Sequence, residues 1–179
     1  MTETALNPVL VIMGVSGSGK STVAGLLADR LGWDVAEGDD LHPAANVAKM
    51  QAGEPLTDED RWPWLESVAG WIRQHTASGT PGIITCSALK RRYRDVLRGD
   101  GVVFVFLDGS RDRISDRLAS RRGHFMPAAL LDSQFEALEA PTADENALTL
   151  SASSAPSDEV QEIIDRLRLD PDRRQAPLG

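Results

Sequence analysis

Val9-Leu10-Val11-Ile12-Met13-Gly14-Val15-Ser16-Gly17-Ser18-Gly19-Lys20-Ser21 decides the architecture of this chain. Its first five residues are an unbroken apolar run, the pattern of a strand buried on both faces. Its last eight fit G-x-x-x-x-G-K-[ST] at every fixed position. Behind them, Ser21–Leu31 places Val23, Ala24, Leu26, Leu27 and Leu31 on one helical face, and Gly32 is a natural stop. Strand, glycine-rich turn and helix in that order form a phosphate-binding loop. The glycines let the backbone turn its N–H groups inward as an anion nest. The helix adds its free amides and the positive end of its dipole. Lys20 is a point charge for the β- and γ-phosphates, and the Ser21 hydroxyl is a hard oxygen for Mg²⁺. The bland alternative is a chance match in a Gly/Ser turn. Glycine makes up only ~7% of average composition, so the fixed residues rarely coincide in this context. The expected ligand is Mg-ATP, and the motif alone leaves open whether the chain is an NTPase or a kinase.

Working outward, strands alternate with helices. Trp33–Ala36, Ile83–Cys86, Val102–Leu107 and Ala147–Ser151 read as strands, the last at an edge. Asp60–His75 reads as a helix capped by Asp60, with Pro63 in its first turn and a stripe of Trp64, Leu65, Val68, Trp71 and Ile72. Ser87 is expected to cap Leu89–Arg98, and Arg111–Ser120, Pro127–Leu138 and Ser157–Leu167 complete the helices. This alternation predicts an α/β fold with a parallel sheet, right-handed crossovers and helices on both faces. Ligands then sit at the carboxyl ends of the strands.

At 179 residues the chain is read as one domain, residues 1–168, with a lid at about 117–127 and a fraying charged tail at 169–179. A hydrophobic fraction of 41% suffices for a core. The net charge of -8, from 27 acidic and 19 basic residues, argues against nucleic acid as a partner. The lone Cys86 fits a reducing compartment and, inside an apolar strand, reads as a core residue. Met1–Pro8 lacks the positive start of a secretory signal, and no apolar run reaches the ~20 residues of a membrane span. A cytoplasmic location without membrane contact is expected. His42, His75 and His124 lack metal-ligand spacing, and His75 at a helix end reads as structural.

Carboxylates follow the second strand in Glu37-Gly38-Asp39-Asp40-Leu41-His42-Pro43. Beside a phosphate loop, such groups hold Mg²⁺ through water or orient and deprotonate an acceptor hydroxyl. Asp39 is assigned the second task; solvated turn residues are the alternative. Arg61 follows Thr57-Asp58-Glu59-Asp60, where a cation is poorly placed for the helix dipole. Its options are function or a surface ion pair. Ser87-Ala88-Leu89-Lys90 opens another anion-friendly helix end. Arg117-Leu118-Ala119-Ser120-Arg121-Arg122-Gly123-His124-Phe125-Met126-Pro127 has the cations and glycine of a lid over ATP, or of an ordinary basic helix end.

These residues, taken together, resemble the gluconokinases. The resemblance is carried by the loop and by Gly38-Asp39-x-Leu41-His42-Pro43. It continues in Asn46-x-x-Lys49-Met50-x-x-Gly53-x-Pro55-Leu56-x-Asp58-x-Asp60-Arg61-x-x-Trp64-Leu65. Cys86-Ser87-Ala88-Leu89-Lys90-x-x-Tyr93-Arg94-Asp95, Arg121-x-Gly123-His124-Phe125 and Gln134-Phe135-Glu136-x-Leu138-Glu139 complete it, in order from about Val9 to Leu167. The resemblance implies a shikimate-kinase-like P-loop fold with a five-stranded parallel sheet and a mobile lid. It implies transfer of the ATP γ-phosphoryl to the 6-hydroxyl of D-gluconate, and a possible homodimer. Lys20, Asp39 and Arg121 are then the expected catalytic residues. Gly14, Val15, Ser16, Gly17, Ser18, Gly19, Lys20, Ser21, Thr22, Arg117 and Arg121 would bind ATP. Asp39, His42, Arg61, Ser87, Lys90, His124 and Gln134 would bind the acceptor, with Mg²⁺ on Ser21 and, through water, Glu37. Two positions depart from the family pattern: Glu37 stands where Asp is frequent, and Asp40 where a bulky apolar residue is. The alternatives are a kinase for another small sugar acid or polyol and, from a different class, a nucleotide-dependent switch. A GTPase switch would need a guanine-reading N-K-x-D segment, which the sequence lacks.

Overall fold

β1 (Val9–Met13) lies at the centre of the sheet with all of its residues buried. A computed structural model describes residues 8–15, 17–54, 56–109, 114, 128–151 and 155–169, with side chains omitted at 128–130. The other strands are β2 (Asp34–Glu37), β3 (Gly82–Thr85), β4 (Val102–Asp108) and β5 (Ala147–Ser151). They pair in the order β2-β3-β1-β4-β5, and every pairing is parallel.

The period-2 alternation of β1 divides the core in two. Leu10 and Ile12 pack with Val23, Ala24, Leu27, Ala28 and Leu31 of α1 (Lys20–Leu31) and with Val160, Ile163 and Ile164 of α6 (Pro156–Leu167). Val9, Val11 and Met13 pack on the opposite face. There they meet Trp64, Leu65, Val68, Ala69 and Ile72 of α3 (Asp58–Ser78), and Tyr93 and Leu97 of α4 (Arg91–Leu97). Two further helices are α2 (Ala44–Gln51), before α3, and α5 (Ala128–Ala137), before β5. The chain leaves β1 along one face and returns from β2 along the other, so strand order reverses between β1 and β3. That reversal opens the crevice in which ligands of such sheets bind.

Several boundaries differ from the sequence reading for identifiable reasons. β2 begins at Asp34, because the register Asp34↔Gly82 to Glu37↔Thr85 leaves Trp33 to pack on the core edge. β3 is Gly82–Thr85, although the Cys86 amide still donates to the Ile12 carbonyl at 3.0 Å. Leu26 is 39% exposed, and Ala28 takes its place in the core. Asp60 is not the cap of α3. Thr57 is the cap, and Asp60 closes a capping box with it: the Asp60 amide donates to Thr57 Oγ1 at 3.1 Å, and the Thr57 amide to Asp60 Oδ2 at 2.9 Å. Pro63 therefore falls beyond the first turn. Ser87 caps nothing: α4 starts at Arg91, with Lys90 extended before it and Ala88 at φ 44. The helix expected at Arg111–Ser120, apart from the buried Ile114, the lid at 117–127, the N-terminal residues 1–7 and most of the tail lie outside the described residues. Among the described residues, no helix is long and apolar enough to cross a membrane.

Candidate active site

The carboxyl ends of β1, β2 and β3 gather the candidate residues. The loop after β1 uses Gly14, Gly17 and Gly19 at φ 148, 83 and 97, values that side chains resist. α1 follows with no acidic residue in its first turn, which leaves its amides and dipole to an anion. Lys20 Nζ donates to the Gly14 carbonyl at 2.9 Å and the Val15 carbonyl at 3.0 Å, so the ammonium lies across the loop. Ser21 and Thr22 are exposed on the first turn of α1, and Ser18 is buried beneath the loop. Ser16 lies outside the described residues.

Glu37 is drawn to this loop from β2. Ser21 Oγ donates to Glu37 Oε1 at 2.6 Å, and Thr85 Oγ1 to the same oxygen at 3.0 Å. The β2–β3 register sets Glu37 beside Thr85, so pairing aims the carboxylate. Ser21 and Glu37 are hard oxygen donors at the mouth of an anion nest, the chemistry that Mg²⁺ takes. The longer Glu still reaches the loop where the family pattern favours Asp.

Past Glu37 the chain makes a short 3₁₀ turn, Gly38–Leu41, with Asp39 and Asp40 exposed. The turn is anchored from both sides. The Gly38 amide donates to Thr85 Oγ1 at 3.2 Å, and its carbonyl accepts from Trp64 Nε1 at 2.7 Å. A Cβ at Gly38 would sit 2.1 Å from the Thr85 carbonyl oxygen, so only glycine permits this approach. His42 stacks on Trp64 at 4.1 Å with ring planes 16° apart. Asn46 Nδ2 approaches its Nδ1 at 3.1 Å. Burial lowers the His42 pKa, Asp39 raises it and Arg61 lowers it, with a net result below the ordinary value. His42 thus lies within electrostatic reach of both Asp39 and Arg61. Cys86 sits below, its thiol pushed up to about 12 by burial and by Asp39, against the Ala88 amide and Lys20. Its burial disfavours the thiolate that a nucleophile needs, and Cys86 packs as a core residue.

A cationic cluster closes the other wall. Arg61 Nη1 donates to the Leu56 carbonyl at 2.7 Å and to Tyr93 Oη at 3.3 Å, with its guanidinium 5.5 Å above the Tyr93 ring. Lys90 Nζ lies 5.6 Å from the same ring centre and donates to Asp58 Oδ1 at 3.3 Å. Tyr93 Oη and Arg92 also bond to Asp58. The Tyr93 hydrogen bond, opposed by burial and aided by Lys90 and Arg92, holds the Asp58 carboxyl below the usual range. Lys90 and Arg92 face one carboxylate, Arg61 stands on the same Tyr93 ring, and the surplus positive charge suits an anionic ligand.

The Ser87–Lys90 turn joins the two walls. The Gly14 amide donates to the Ser87 carbonyl at 3.3 Å, tying turn to loop. Beneath it, Arg94 Nη1 donates to the carbonyls of Ala88 at 2.9 Å and Leu89 at 3.2 Å. Its Nε and Nη2 reach Glu145 at 2.6 and 3.3 Å, and both side chains are buried. Burial opposes a charged Glu145, but Arg94 and the Thr142 amide hold its carboxyl below the ordinary value. Gln134 is half-buried on α5, whose end returns to this turn through the Glu139 amide on the Leu89 carbonyl at 2.7 Å. His75, far from the rim, bonds Asp34 at 3.0 Å and the Trp71 carbonyl at 2.9 Å, linking α3 to β2. Arg117, Arg121 and His124 lie outside the described residues.

Sequence reasoning missed the roles of Thr85, Tyr93, Asp58, Asn46, Arg94 and Glu145. Asn46, Asp58, Tyr93 and Arg94 were visible only as members of the resemblance. A hydroxyl at the end of an apolar strand was the available signal for Thr85, and Glu145 carried none.

Comparisons with known proteins agree with this geometry. A family model described as an AAA domain matches residues 9–141. The gluconokinase of Gluconobacter oxydans (strain 621H) is 51% identical over 166 residues, which cover 91% of this chain and 93% of that protein. A sugar kinase from Janibacter sp. HTCC2649, solved unliganded, superposes with a TM-score of 0.86 at 48% identity, covering 93% of this chain and 97% of the other. A gluconokinase structure from Sinorhizobium meliloti 1021 gives a TM-score of 0.83 at 42% identity, covering 93% and 94%. With a phosphate loop, an acidic turn and a cationic wall on one rim, and relatives of this similarity along nearly its whole length, the chain belongs to the gluconokinase family.

Proposed function

We propose that the protein transfers the γ-phosphoryl group of ATP to the 6-hydroxyl of D-gluconate, giving 6-phospho-D-gluconate and ADP. The observation that carries this reading is the junction of a complete phosphate loop with an anion-ready wall of Arg61, Lys90 and Tyr93 through one turn, Ser87–Lys90. An acceptor that is itself an anion with many hydroxyls needs such a wall, and a nucleotide switch does not.

Gly14 to Thr22 hold the phosphates, with Lys20 exchanging loop carbonyls for phosphate oxygens. Ser21 and, through water, Glu37 would hold Mg²⁺, which would supply charge neutralisation to the phosphates when bound. Arg61 and Lys90 take the acceptor carboxylate, and His42, Ser87, His124 and Gln134 take hydroxyls. Asp39 orients the 6-hydroxyl and accepts its proton as the new O–P bond forms and the bond to the β-phosphate oxygen breaks. Arg117 and Arg121 stabilise the transferring group from a lid at about 117–127. Residues 1–168 act as one cytoplasmic domain, which a homodimer would pair.

The test is ADP release from Mg-ATP with and without gluconate, and phosphorus NMR of the product to locate the ester. Turnover on another sugar acid but not on gluconate would overturn the acceptor and spare the kinase.

A further inference from the structure

Asn46 is 4% exposed, sits on the first turn of α2 and lies one layer behind His42. Its amide nitrogen has two hydrogens and two neighbours. One neighbour is the Asp60 carbonyl at 2.8 Å, the other is His42 Nδ1 at 3.1 Å. A carbonyl oxygen only accepts, so Asp60 settles which end of the amide is nitrogen. His42 Nδ1 therefore meets an N–H and must accept through its lone pair. The ring proton is left on Nε2. Protonating Nδ1 as well would set N–H against N–H.

We propose that Asn46 is a positioning residue that locks His42 as the neutral Nε2–H tautomer, making it a fixed hydrogen-bond donor to an acceptor hydroxyl. The proposal rests on the reading of His42 as a substrate contact. The ring cannot easily escape the constraint. Trp64 lies flat against it, and Trp64 is itself tied to the Gly38 carbonyl. α2 is held in place by Lys49 on the Asp60 carboxylate at 2.7 Å, so Asn46 and Lys49 grip the same residue of α3. Of the charged groups around the ring, Asp39 on its own turn favours the imidazolium, and Arg61 on α3 opposes it. α2 offers the ring the neutral Asn46. Burial adds to Arg61, and the balance favours the neutral ring. A neutral donor suits a hydroxyl-rich acceptor, because its hydrogen bond does not vary with pH as an imidazolium's would.

The test is long-range ¹H–¹⁵N correlation of the His42 imidazole in the full-length protein between pH 5 and 8, beside gluconate kinetics. The wild type should show protonated Nε2 and unprotonated Nδ1 down to a pH below the ordinary titration point of ~6.5. Asn46→Ala should mix the tautomers and move the titration upward. Asn46→Asp, which offers an acceptor, should hold the ring doubly protonated to higher pH. In Asn46→Ala KM for gluconate should rise, by up to about tenfold, the worth of a neutral hydrogen bond, with kcat changing less, whereas Asn46→Asp, whose doubly protonated ring keeps its Nε2–H, should change KM less. Wild-type protein with its proton on Nδ1 would overturn the proposal, and that measurement needs no variant to fold. An Asn46→Ala ring that changes tautomer without changing KM would overturn the donor role. Wild-type protein that fails to turn over gluconate would instead defeat the functional reading, which the NMR leaves untouched.

Discussion

In the proposed function Lys20 serves the donor half of the site and Asp39 the acceptor half, and their removal should have separable effects. Lys20 spans the Gly14 and Val15 carbonyls, within reach of any phosphate seated in the loop. Lys20→Ala should cut kcat by about 10²–10³-fold, the usual loss for one charge-stabilising donor; full activity would sink the loop assignment. Asp39 is exposed on a turn anchored by Trp64 and Thr85, so its replacement should leave the turn intact. Asp39→Asn should lower kcat by about 10²–10⁴-fold, with ATP affinity by calorimetry unchanged. Near-normal turnover would move the role to Asp40 or Glu37.

Among the elements, the turns matter more than the helices they start. The Ser87–Lys90 turn stands on a buried Arg94–Glu145 pair. Removing one partner strands a buried charge, so Glu145→Gln should cost about 3–5 kcal/mol by denaturant unfolding. Replacing both by apolar residues of similar size should recover most of that stability, but not the Ala88 conformation. The α2–α3 joint has a pH signature. Lys49, then the Thr57 amide, hold the Asp60 carboxyl at about 2. The native state therefore binds fewer protons than the unfolded chain, whose Asp titrates near ~3.9. The contribution is complete above about pH 5 and is lost as pH falls toward 2. Asp60→Asn should flatten the fall in Tm over that window; an unchanged slope would refute it. The same elements show how far the sequence could be read. Strand and helix order followed from periodicity, because β1 and β4 are buried on both faces and α1 has one apolar stripe. The starts of α3 and α4 did not, because they are set by Asp60 closing back on Thr57 and by Arg94 drawing in the Ala88 and Leu89 carbonyls. The first is a local capping box in which Asp60 is the third helical residue and not the cap, and the second depends on Arg94 being held by Glu145, 51 residues away. On the site, the loop was legible from one motif, whereas the Tyr93–Asp58 wall depends on α3 and α4 meeting in space.

For the molecule as a whole, the metal is expected to serve chemistry and not folding. Ser21 and Glu37 already bond to each other, and the core lies elsewhere. Chelation should abolish turnover and leave Tm unchanged, with activity returning on added Mg²⁺. Mg-ATP at a hundred times its Kd should stabilise the fold by about 2.7 kcal/mol, and a chelator that lowers Tm without nucleotide would contradict this. Gly38 carries a wider consequence. Wedged against the Thr85 carbonyl and tied to Trp64, it welds the acceptor turn to the sheet. A library built to retune acceptor preference has no latitude at that position. Diversity belongs at neighbouring positions other than Asn46 and Lys49 of α2 and Arg92, Tyr93 and Arg94 of α4, whose contacts hold the site together while the weld keeps the turn in register.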